Sequence, residues 1–242
     1  MDKLYKKYIS GLNDSNSESR LNNLKKLKNL IEKGKITKPK KKEKRVNNHI
    51  HTTFSFSPYS PTKSVWKAYQ AGLTTAGIMD HDTIKGSREF IKAGEIIGLA
   101  TTIGLECRAD FSNTPLQGKR INSPDQKSMG YMAIHGVPHT QIDKVQNFFK
   151  PYRKKRNKRN REMVNNINRF FSDYNIEIDF ERDVIPISEY ENGGTITERH
   201  LLFAVSDKLI NKYGKGKTLL NELKDDFNDV LSPKLEKYLS DK

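Results

Sequence analysis

The chain has 242 residues, 34% of them hydrophobic, and a mean hydropathy of −0.79, which indicates one core of moderate size under a large polar surface. The formal net charge is +15 at pH 7, and the single cysteine, Cys107, excludes an intramolecular disulfide. The sequence contains no apolar run of about 18 residues, the length that a membrane-spanning helix needs, and no secretory signal opens it. We therefore expect a cytoplasmic protein without a membrane partner.

An amphipathic helix is the first element that the sequence predicts. A possible capping box, Ser15-Asn16-Ser17-Glu18, opens it, and Gly34 follows its end. Apolar side chains recur between them at helical spacing, at Leu21, Leu24, Leu27, Leu30 and Ile31. Since no Trp or Phe anchors this stripe, it favours packing on the domain over binding at a membrane surface.

A basic linker follows the helix. Residues 1–50 carry 15 Lys or Arg and 5 Asp or Glu, and the basic run Lys38–Arg45 precedes the first predicted strand. Such a run is typical of a solvated linker and is also able to contact nucleic acid. We therefore predict that residues 1–45 form a basic N-terminal helix and linker.

The next segments carry metal-ligating side chains at the ends of apolar runs. His49 and His51 are two residues apart, so on a strand both imidazoles would point to the same face. Three later apolar runs end in further candidate ligands, namely Asp80 with His81, then Glu106, then His135. Helices between the runs predict parallel strands whose carboxyl ends meet. Imidazole suits zinc, iron or nickel, and carboxylate suits manganese or magnesium, so this grouping predicts a metal site.

These motifs resemble the polymerase and histidinol phosphatase (PHP) family. The similarity covers roughly residues 46–140 and rests on His49-Ile50-His51-Thr52, Met79–Gly86, Gly104-Leu105-Glu106 and His135-Gly136. The resemblance implies an α/β fold, a distorted (βα)7 barrel with two or three divalent ions (Mn, Zn, Fe or Mg) at its C-terminal mouth. It also implies a hydrolase that cleaves phosphate esters of nucleotides or oligonucleotides, as a phosphatase or nuclease, through metal-activated water.

The resemblance also implies roles for individual residues. His49, His51 and Glu106 would hold a first ion. Glu106 would bridge to a second ion held by His135, and a third would bind Asp80 and His81. Asp82 would lie behind the ligands and orient an imidazole or a water.

The sequence departs from the family pattern towards its C-terminal end. The family carries a further His and a final Asp-x-His in its last strands, whereas the last histidine here is His200. We therefore expect a partial barrel at 46–140, a mostly helical insertion or cap at 141–228 and a C-terminal tail helix at 229–242. Two alternatives to an active hydrolase follow, a truncated nucleic-acid-binding remnant with impaired catalysis and one half of a split enzyme with a separate complementary C-terminal half.

A second basic segment lies in the predicted insertion. Residues 150–161 carry eight Lys or Arg and no acid. The candidate nucleic-acid-binding residues are Arg153, Lys154, Arg156 and Arg159, with Phe148, Phe149 and Tyr152 placed to stack a base. The alternative is a solvated helix face with these aromatic residues in the core.

A last resemblance concerns the segment Thr197–Leu201. It is similar to the family segment that brings an Arg and a His to the substrate, which makes Arg199 and His200 candidate substrate-binding residues. The guanidinium of Arg199 is suited to a bidentate phosphate contact. The expected partner is a phosphorylated small molecule or a nucleic acid.

Overall fold

The computed structural model describes residues 2–40, 45–123 and 126–227, with positions 233 and 237. The helices are α1 (Asp2–Ser10), α2 (Ser17–Glu32), α3 (Pro61–Gln70), α4 (Ser87–Ile97), α5 (Ile142–Phe170), α6 (Glu198–Tyr213) and α7 (Lys217–Phe227). The strands are β1 (Val46–Ile50), β2 (Thr75–His81), β3 (Ala100–Asp110) and β4 (Met129–His135). The fold is α/β, as predicted. Residues 41–44 of the predicted linker, and the predicted tail helix apart from two positions, lie outside the described residues.

The chain divides into two compact units. The first unit comprises residues 1–155 and 188–196, and the second comprises residues 156–187 and 197–242. The first unit holds all four strands, α1 to α4 and the first part of α5. The described part of the second unit consists of helices and short turns, with Val164, Ile178, Phe180 and Leu201 among its buried side chains. None of the described helices is long and apolar enough to cross a membrane.

The four strands form one curled sheet, half of a barrel, in the order β1-β2-β3-β4. β1, β2 and β3 are mutually parallel, and the β2–β3 register runs from Thr75 opposite Ala100 to His81 opposite Glu106. β4 is antiparallel to β3, so the prediction of a fourth parallel strand is wrong. A parallel return needs a crossover, usually a helix, whereas the described residues between β3 and β4 form turns.

Helices cover one face of the sheet and bury the core of the first unit. Leu24 and Leu27 of α2 pack in the same cluster as Trp66, Phe90 and Leu105, which confirms that the apolar stripe of the N-terminal helix packs on the domain. Asn16 caps α2, because its Oδ1 accepts a hydrogen bond of 3.0 Å from the backbone N–H of Ser19. Burial of each leucine contributes about 1.5–3 kcal/mol.

A buried ion pair fixes α2 against α4. Nε and Nη2 of Arg20 donate to the two carboxylate oxygens of Glu89 at 2.8 and 2.5 Å, and the two side chains are only 5% and 8% exposed. Oε1 of Glu89 also accepts from the backbone N–H and the hydroxyl of Thr62, at 3.1 and 2.7 Å. The shared carboxylate therefore joins α2, α3 and α4 behind the sheet.

Candidate metal centre

Three imidazoles converge on one carboxylate oxygen beside the carboxyl ends of β1 and β2. Oε2 of Glu106 lies 3.1 Å from Nε2 of His49, 3.7 Å from Nε2 of His51 and 3.7 Å from Nδ1 of His81. The rings of His51 and His81 are stacked with centroids 4.7 Å apart. The Glu106 side chain is 16% exposed and the His49 side chain 46%, so this group, the imidazole–Glu106 cluster, faces solvent.

The first strand places two of these imidazoles through a local irregularity. β1 ends at Ile50, so His49 lies on the strand and His51 directly after it. The register shifts between Asn47 and Ile50, and Oδ1 of Asn47 accepts a hydrogen bond of 3.0 Å from the backbone N–H of His49. β1 also approaches Gly77 closely, because a Cβ there would lie 2.7 Å from Cα of Asn48. A side chain at position 77 would push the His-x-His strand away from β2.

His81 and Asp80 end β2 but point to opposite faces of the sheet. His81 is paired with Glu106 and shares its face, whereas Asp80 is paired with the buried Leu105. Both Asp80 oxygens accept hydrogen bonds of 2.6 Å, from the N–H and hydroxyl of Thr52 and from the hydroxyl of Ser55. The carboxylate therefore holds the segment after β1. Its expected role as a metal ligand stays a prediction, while both of its oxygens already accept hydrogen bonds.

Burial makes Asp80 a weaker acid than an exposed aspartate. Burial raises the pKa of Asp80 to about 6, while its hydrogen bonds with Ser55 and Thr52 act in the opposite direction. Charged hydrogen bonds to a carboxylate are stronger than neutral ones. The ionised form of Asp80 is thus favoured by its hydrogen bonds with those two residues.

Ser55 connects Asp80 to His51. Its hydroxyl donates to Oδ1 of Asp80 at 2.6 Å and lies 3.4 Å from Nδ1 of His51. Since the Ser55 proton is used on Asp80, the hydrogen-bond network assigns the proton between Ser55 and His51 to Nδ1 of the imidazole. In the neutral imidazole Nε2 of His51 then carries the lone pair on the side of Oε2 of Glu106, 3.7 Å away, and two such atoms favour a cation between them.

The donor set fits a divalent ion. One ligand atom from each of His49, His51 and Glu106 can be chosen so that all three lie within 4.8 Å of one another. Neighbouring ligands at about 2.0–2.2 Å from a common ion lie roughly 2.8–3.6 Å apart in octahedral or tetrahedral shells. The distance of 3.1 Å from Glu106 to His49 falls within that range, and the distance of 3.7 Å to His51 is slightly longer.

The roles that the resemblance implies for His135 and Asp82 stay predictions. His135 stands opposite Gly104, and it is Ala133 that stands opposite Glu106. In this register His135 lies two residues, about 7 Å along the strand, from the position opposite Glu106, towards the N-terminal end of β3. Asp82 has a left-handed backbone (φ 51°), and its N–H donates to the carbonyl of Glu106 at 2.8 Å.

Arg153 points inward, whereas the sequence predicted that it would face solvent or a nucleic acid. It is buried, and Nη1 donates to the carbonyl of Asp82 at 3.0 Å. In the second unit, Arg156 and Arg159 pair with Glu198, the former at 3.4 Å. Lys154 is exposed as expected. Residues 153–161 are all polar, so hydrophobic periodicity gave no signal of the inward face.

Arg199 and His200 lie in the first turn of α6, in the second unit. Arg199 is exposed, whereas His200 is 1% exposed and its Nδ1 accepts a hydrogen bond of 3.0 Å from the backbone N–H of Thr197. Burial lowers the pKa of His200 to about 4. His200 therefore caps a helix as a neutral imidazole, and the proposed substrate contacts of both residues stay predictions.

Arg108 and Tyr131 also lie beside the imidazole–Glu106 cluster, and the sequence reasoning missed them. Arg108 follows Glu106 by two residues on β3 and is paired with Tyr131 of β4. The Tyr131 ring lies 6.4 Å from the ring of His81. The only sequence signal was the period of two from Glu106 to Arg108.

No protein-family model matches the chain. Over 68 residues the chain is 36% identical to a 5'-3' exoribonuclease of Haemophilus influenzae, a match that covers 28% of this chain and 25% of that protein. A candidate metal-dependent phosphoesterase of Bifidobacterium adolescentis superposes with a TM-score of 0.54 at 21% identity, over 80% of this chain and 58% of that one.

An amidohydrolase of Chromobacterium violaceum, solved with bound sulfate and no metal, superposes with a TM-score of 0.52 at 17% identity, over 78% of this chain and 55% of that one. The chain thus spans little more than half the length of these two solved proteins and a quarter of the exoribonuclease. Its fold is shared with hydrolases of these two kinds.

Proposed function

We propose that this chain is a metal-dependent phosphoesterase of the PHP type that hydrolyses phosphate esters of nucleotides or oligonucleotides. The observation that carries the proposal is the convergence of His49, His51 and His81 on one oxygen of Glu106. Structural likeness to a candidate metal-dependent phosphoesterase and local sequence likeness to an exoribonuclease support the reaction class.

The chain's own residues would prepare the site in three ways. His49, His51 and Glu106 would hold a divalent ion, with Mn, Zn, Fe and Mg as the candidates. When bound, such an ion supplies a Lewis acid for phosphoryl oxygens and lowers the pKa of a water. Ser55, fixed by Asp80, keeps the Nε2 lone pair of His51 directed at the site.

An exposed aromatic pair supports nucleic acid as the substrate class. Phe148 and Tyr152 of α5 are 61% and 49% exposed, with ring centroids 5.6 Å apart. The exposed Lys144 and Lys155 lie at helical spacing on the same side of the helix. Exposed aromatic rings stack bases and lysines attract the phosphate backbone, which is the combination that single-stranded nucleic acids require.

The same part of α5 is anchored beside the metal centre. Arg153 donates to the carbonyl of Asp82, and Oε1 of Gln146 accepts from the hydroxyl of Thr83 at 3.1 Å and from the N–H of Ile84 at 3.0 Å. These partners directly follow His81. A single-stranded nucleic acid whose base stacks on Phe148 would therefore be held by α5, which contacts the residues directly after His81.

The second candidate function is nucleic-acid binding without turnover. The observation that favours it is that neither Asp80 nor His135 belongs to the close group of donors formed by His49, His51 and Glu106 among the described residues. Fewer ions would then be held than the resemblance implies.

The deciding experiment measures metal content and hydrolysis in one preparation. The full chain is purified without chelator, its metal is measured by elemental mass spectrometry, and hydrolysis of bis-p-nitrophenyl phosphate and p-nitrophenyl phosphate is followed in added Mn²⁺. The proposal expects at least about one ion per chain and hydrolysis that excess chelator abolishes. Bound metal without hydrolysis, together with salt-dependent binding of an oligonucleotide, would favour the second candidate.

A further inference from the structure

Arg108 and Tyr131 form a cross-strand pair on the side of the sheet that carries the imidazole–Glu106 cluster. Residues 106 and 108 share a face of β3, and the partner of Arg108 in the antiparallel ladder is Tyr131. Two residues along a strand span about 7 Å, so Arg108 begins about 7 Å along β3 from Glu106. The pair therefore borders the place where a substrate would lie.

The guanidinium of Arg108 is held by the tyrosine in two ways. Nε and Nη2 donate to the Tyr131 hydroxyl oxygen at 3.1 and 2.6 Å, and Cζ lies 5.1 Å from the centroid of the ring. A phenol oxygen that accepts two hydrogen bonds from a cation still has its own O–H to donate. The positive charge and this O–H are thereby fixed in one place.

Charge on this face makes the pair chemically distinctive. Among the described strand residues whose side chains share the face of Glu106, Arg108 is the one with a permanent positive charge. Tyr131 also contacts His81 edge-on, with centroids 6.4 Å apart, so the aromatic series from His51 through His81 to Tyr131 leads from the cluster to the guanidinium. The guanidinium of Arg108 is thus linked to the imidazoles of the cluster by neighbouring rings.

We infer that Arg108 and Tyr131 are the phosphate-anchoring residues of this site, which bind a non-bridging oxygen of the phosphate that is hydrolysed. This inference rests on the proposed function for the identity of the substrate, while binding of the anion itself does not require turnover. Arg108 supplies the charge and Tyr131 positions it and donates its O–H. Both are binding residues, and no bond is made or broken on either.

The test compares Arg108→Gln, Arg108→Lys and Tyr131→Phe with the wild-type chain, and uses Arg45→Gln as a matched control. Arg45 is an exposed arginine next to the start of β1, at the opposite end of that strand from His49. Binding of inorganic phosphate is measured by calorimetry with and without Mn²⁺, metal content by elemental mass spectrometry, and folding by circular dichroism.

Arg108→Gln should weaken phosphate binding about 10-fold to 100-fold at unchanged metal content, since a hydrogen bond from a charged donor is lost. The phosphate affinity of Arg108→Lys should lie between those of the wild type and Arg108→Gln, because an ammonium keeps the positive charge but lacks the forked donors of a guanidinium. Tyr131→Phe should weaken binding by about 3-fold to 10-fold, and Arg45→Gln should match the wild type. In active preparations the same variants should raise KM more than they lower kcat.

Wild-type phosphate affinity in folded Arg108→Gln would overturn the inference. If that variant does not fold, Arg108→Lys and Tyr131→Phe decide, and wild-type affinity in both would overturn it equally. Phosphate binding that depends on Arg108 in a chain that hydrolyses no ester would sustain this subsite and reject the proposed function. Hydrolysis with unchanged KM in all three variants would support the proposed function and reject this subsite.

Discussion

Nε2 of His49 lies 3.1 Å from Oε2 of Glu106 across 57 residues of sequence. The two side chains meet because β1 and β3 flank β2 as parallel strands, and the β2–β3 register puts Glu106, inside β3, opposite His81 at the end of β2. Glu106 receives His51 and His81 at the same oxygen. A carboxylate among three imidazoles is the central feature of the proposed metal centre.

Replacement of Glu106 should remove bound metal. Glu106→Gln keeps the size of the side chain but loses the negative charge at the point where the imidazoles converge, so metal content should fall by about 10-fold or more. His139→Ala is the matched control, because His139 is exposed and does not belong to the His49, His51 and Glu106 group. Elemental mass spectrometry on both variants gives the answer, and an equal metal content in the two would reject the site.

Asp80 should behave as a positioning residue rather than as a ligand. Asp80→Asn should keep the metal stoichiometry and weaken affinity by about 10-fold to 100-fold, because the Thr52 and Ser55 contacts that orient His51 are disturbed. Asp80→Ala should also lower the free energy of unfolding by roughly 2–4 kcal/mol, since buried donors lose their acceptor. Competition with a metal-sensitive dye measures the affinity. Loss of one whole ion in Asp80→Asn would instead make Asp80 a ligand.

The buried pair of Arg20 and Glu89 should show strong coupling in stability. Glu89→Gln alone leaves a buried guanidinium without its counter-charge and should cost about 3–5 kcal/mol. The combined change with Arg20→Met should cost less than the sum of the two single changes. Urea unfolding of the four proteins in a double-mutant cycle measures the coupling, and additive costs would mean that the pair does not act as a unit.

His200 should make stability depend on pH. Its pKa in the folded protein is lowered from 6.5 to about 4 by burial, so the folded state favours the neutral imidazole. The stabilising contribution is therefore complete above about pH 6.5 and is lost as the pH falls towards about 4, by roughly 3 kcal/mol in total. Protonation of Nδ1 would also break its hydrogen bond with Thr197.

His200→Gln isolates this effect, because glutamine at the third helical position can accept the same capping hydrogen bond without titrating. The unfolding free energies of the wild type and the variant are compared in urea at about pH 8 and about pH 5. The wild type should lose more stability than the variant between the two conditions. Other titrating groups are common to both proteins, so parallel losses would contradict the assignment.

The exposed aromatic pair should bind single-stranded nucleic acid. Phe148→Ala with Tyr152→Ala should weaken binding of a labelled single-stranded oligonucleotide by about 10-fold or more, since each stacked base contributes about 1–3 kcal/mol. Phe170→Ala is the control, because Phe170 is 65% exposed but lies in the second unit. Fluorescence anisotropy at two salt concentrations separates stacking from charge. Equal affinity in the double variant and the control would remove the proposed surface.

The sequence determined the local parts of this site. The period of two put His49 and His51 on one side of a strand, and apolar runs predicted that His81 and Glu106 would lie on strands, His81 at a carboxyl end. Helical spacing also predicted α2 and its burial, because a leucine stripe without a partner would leave apolar surface in water. These features follow from bonds and side chains within a few residues of one another.

The tertiary structure decided which candidates meet. The register of β4 on β3 placed His135 opposite Gly104 and Arg108 opposite Tyr131. The register of β2 on β3 put Asp80 on the opposite face from His81, where it accepts hydrogen bonds from Thr52 and Ser55. Strand direction and register depend on pairing between residues distant in sequence, so no local pattern specifies them. The sequence alone therefore determined the chemistry of this protein's side chains, and the pairing of its strands decided their assembly into a site.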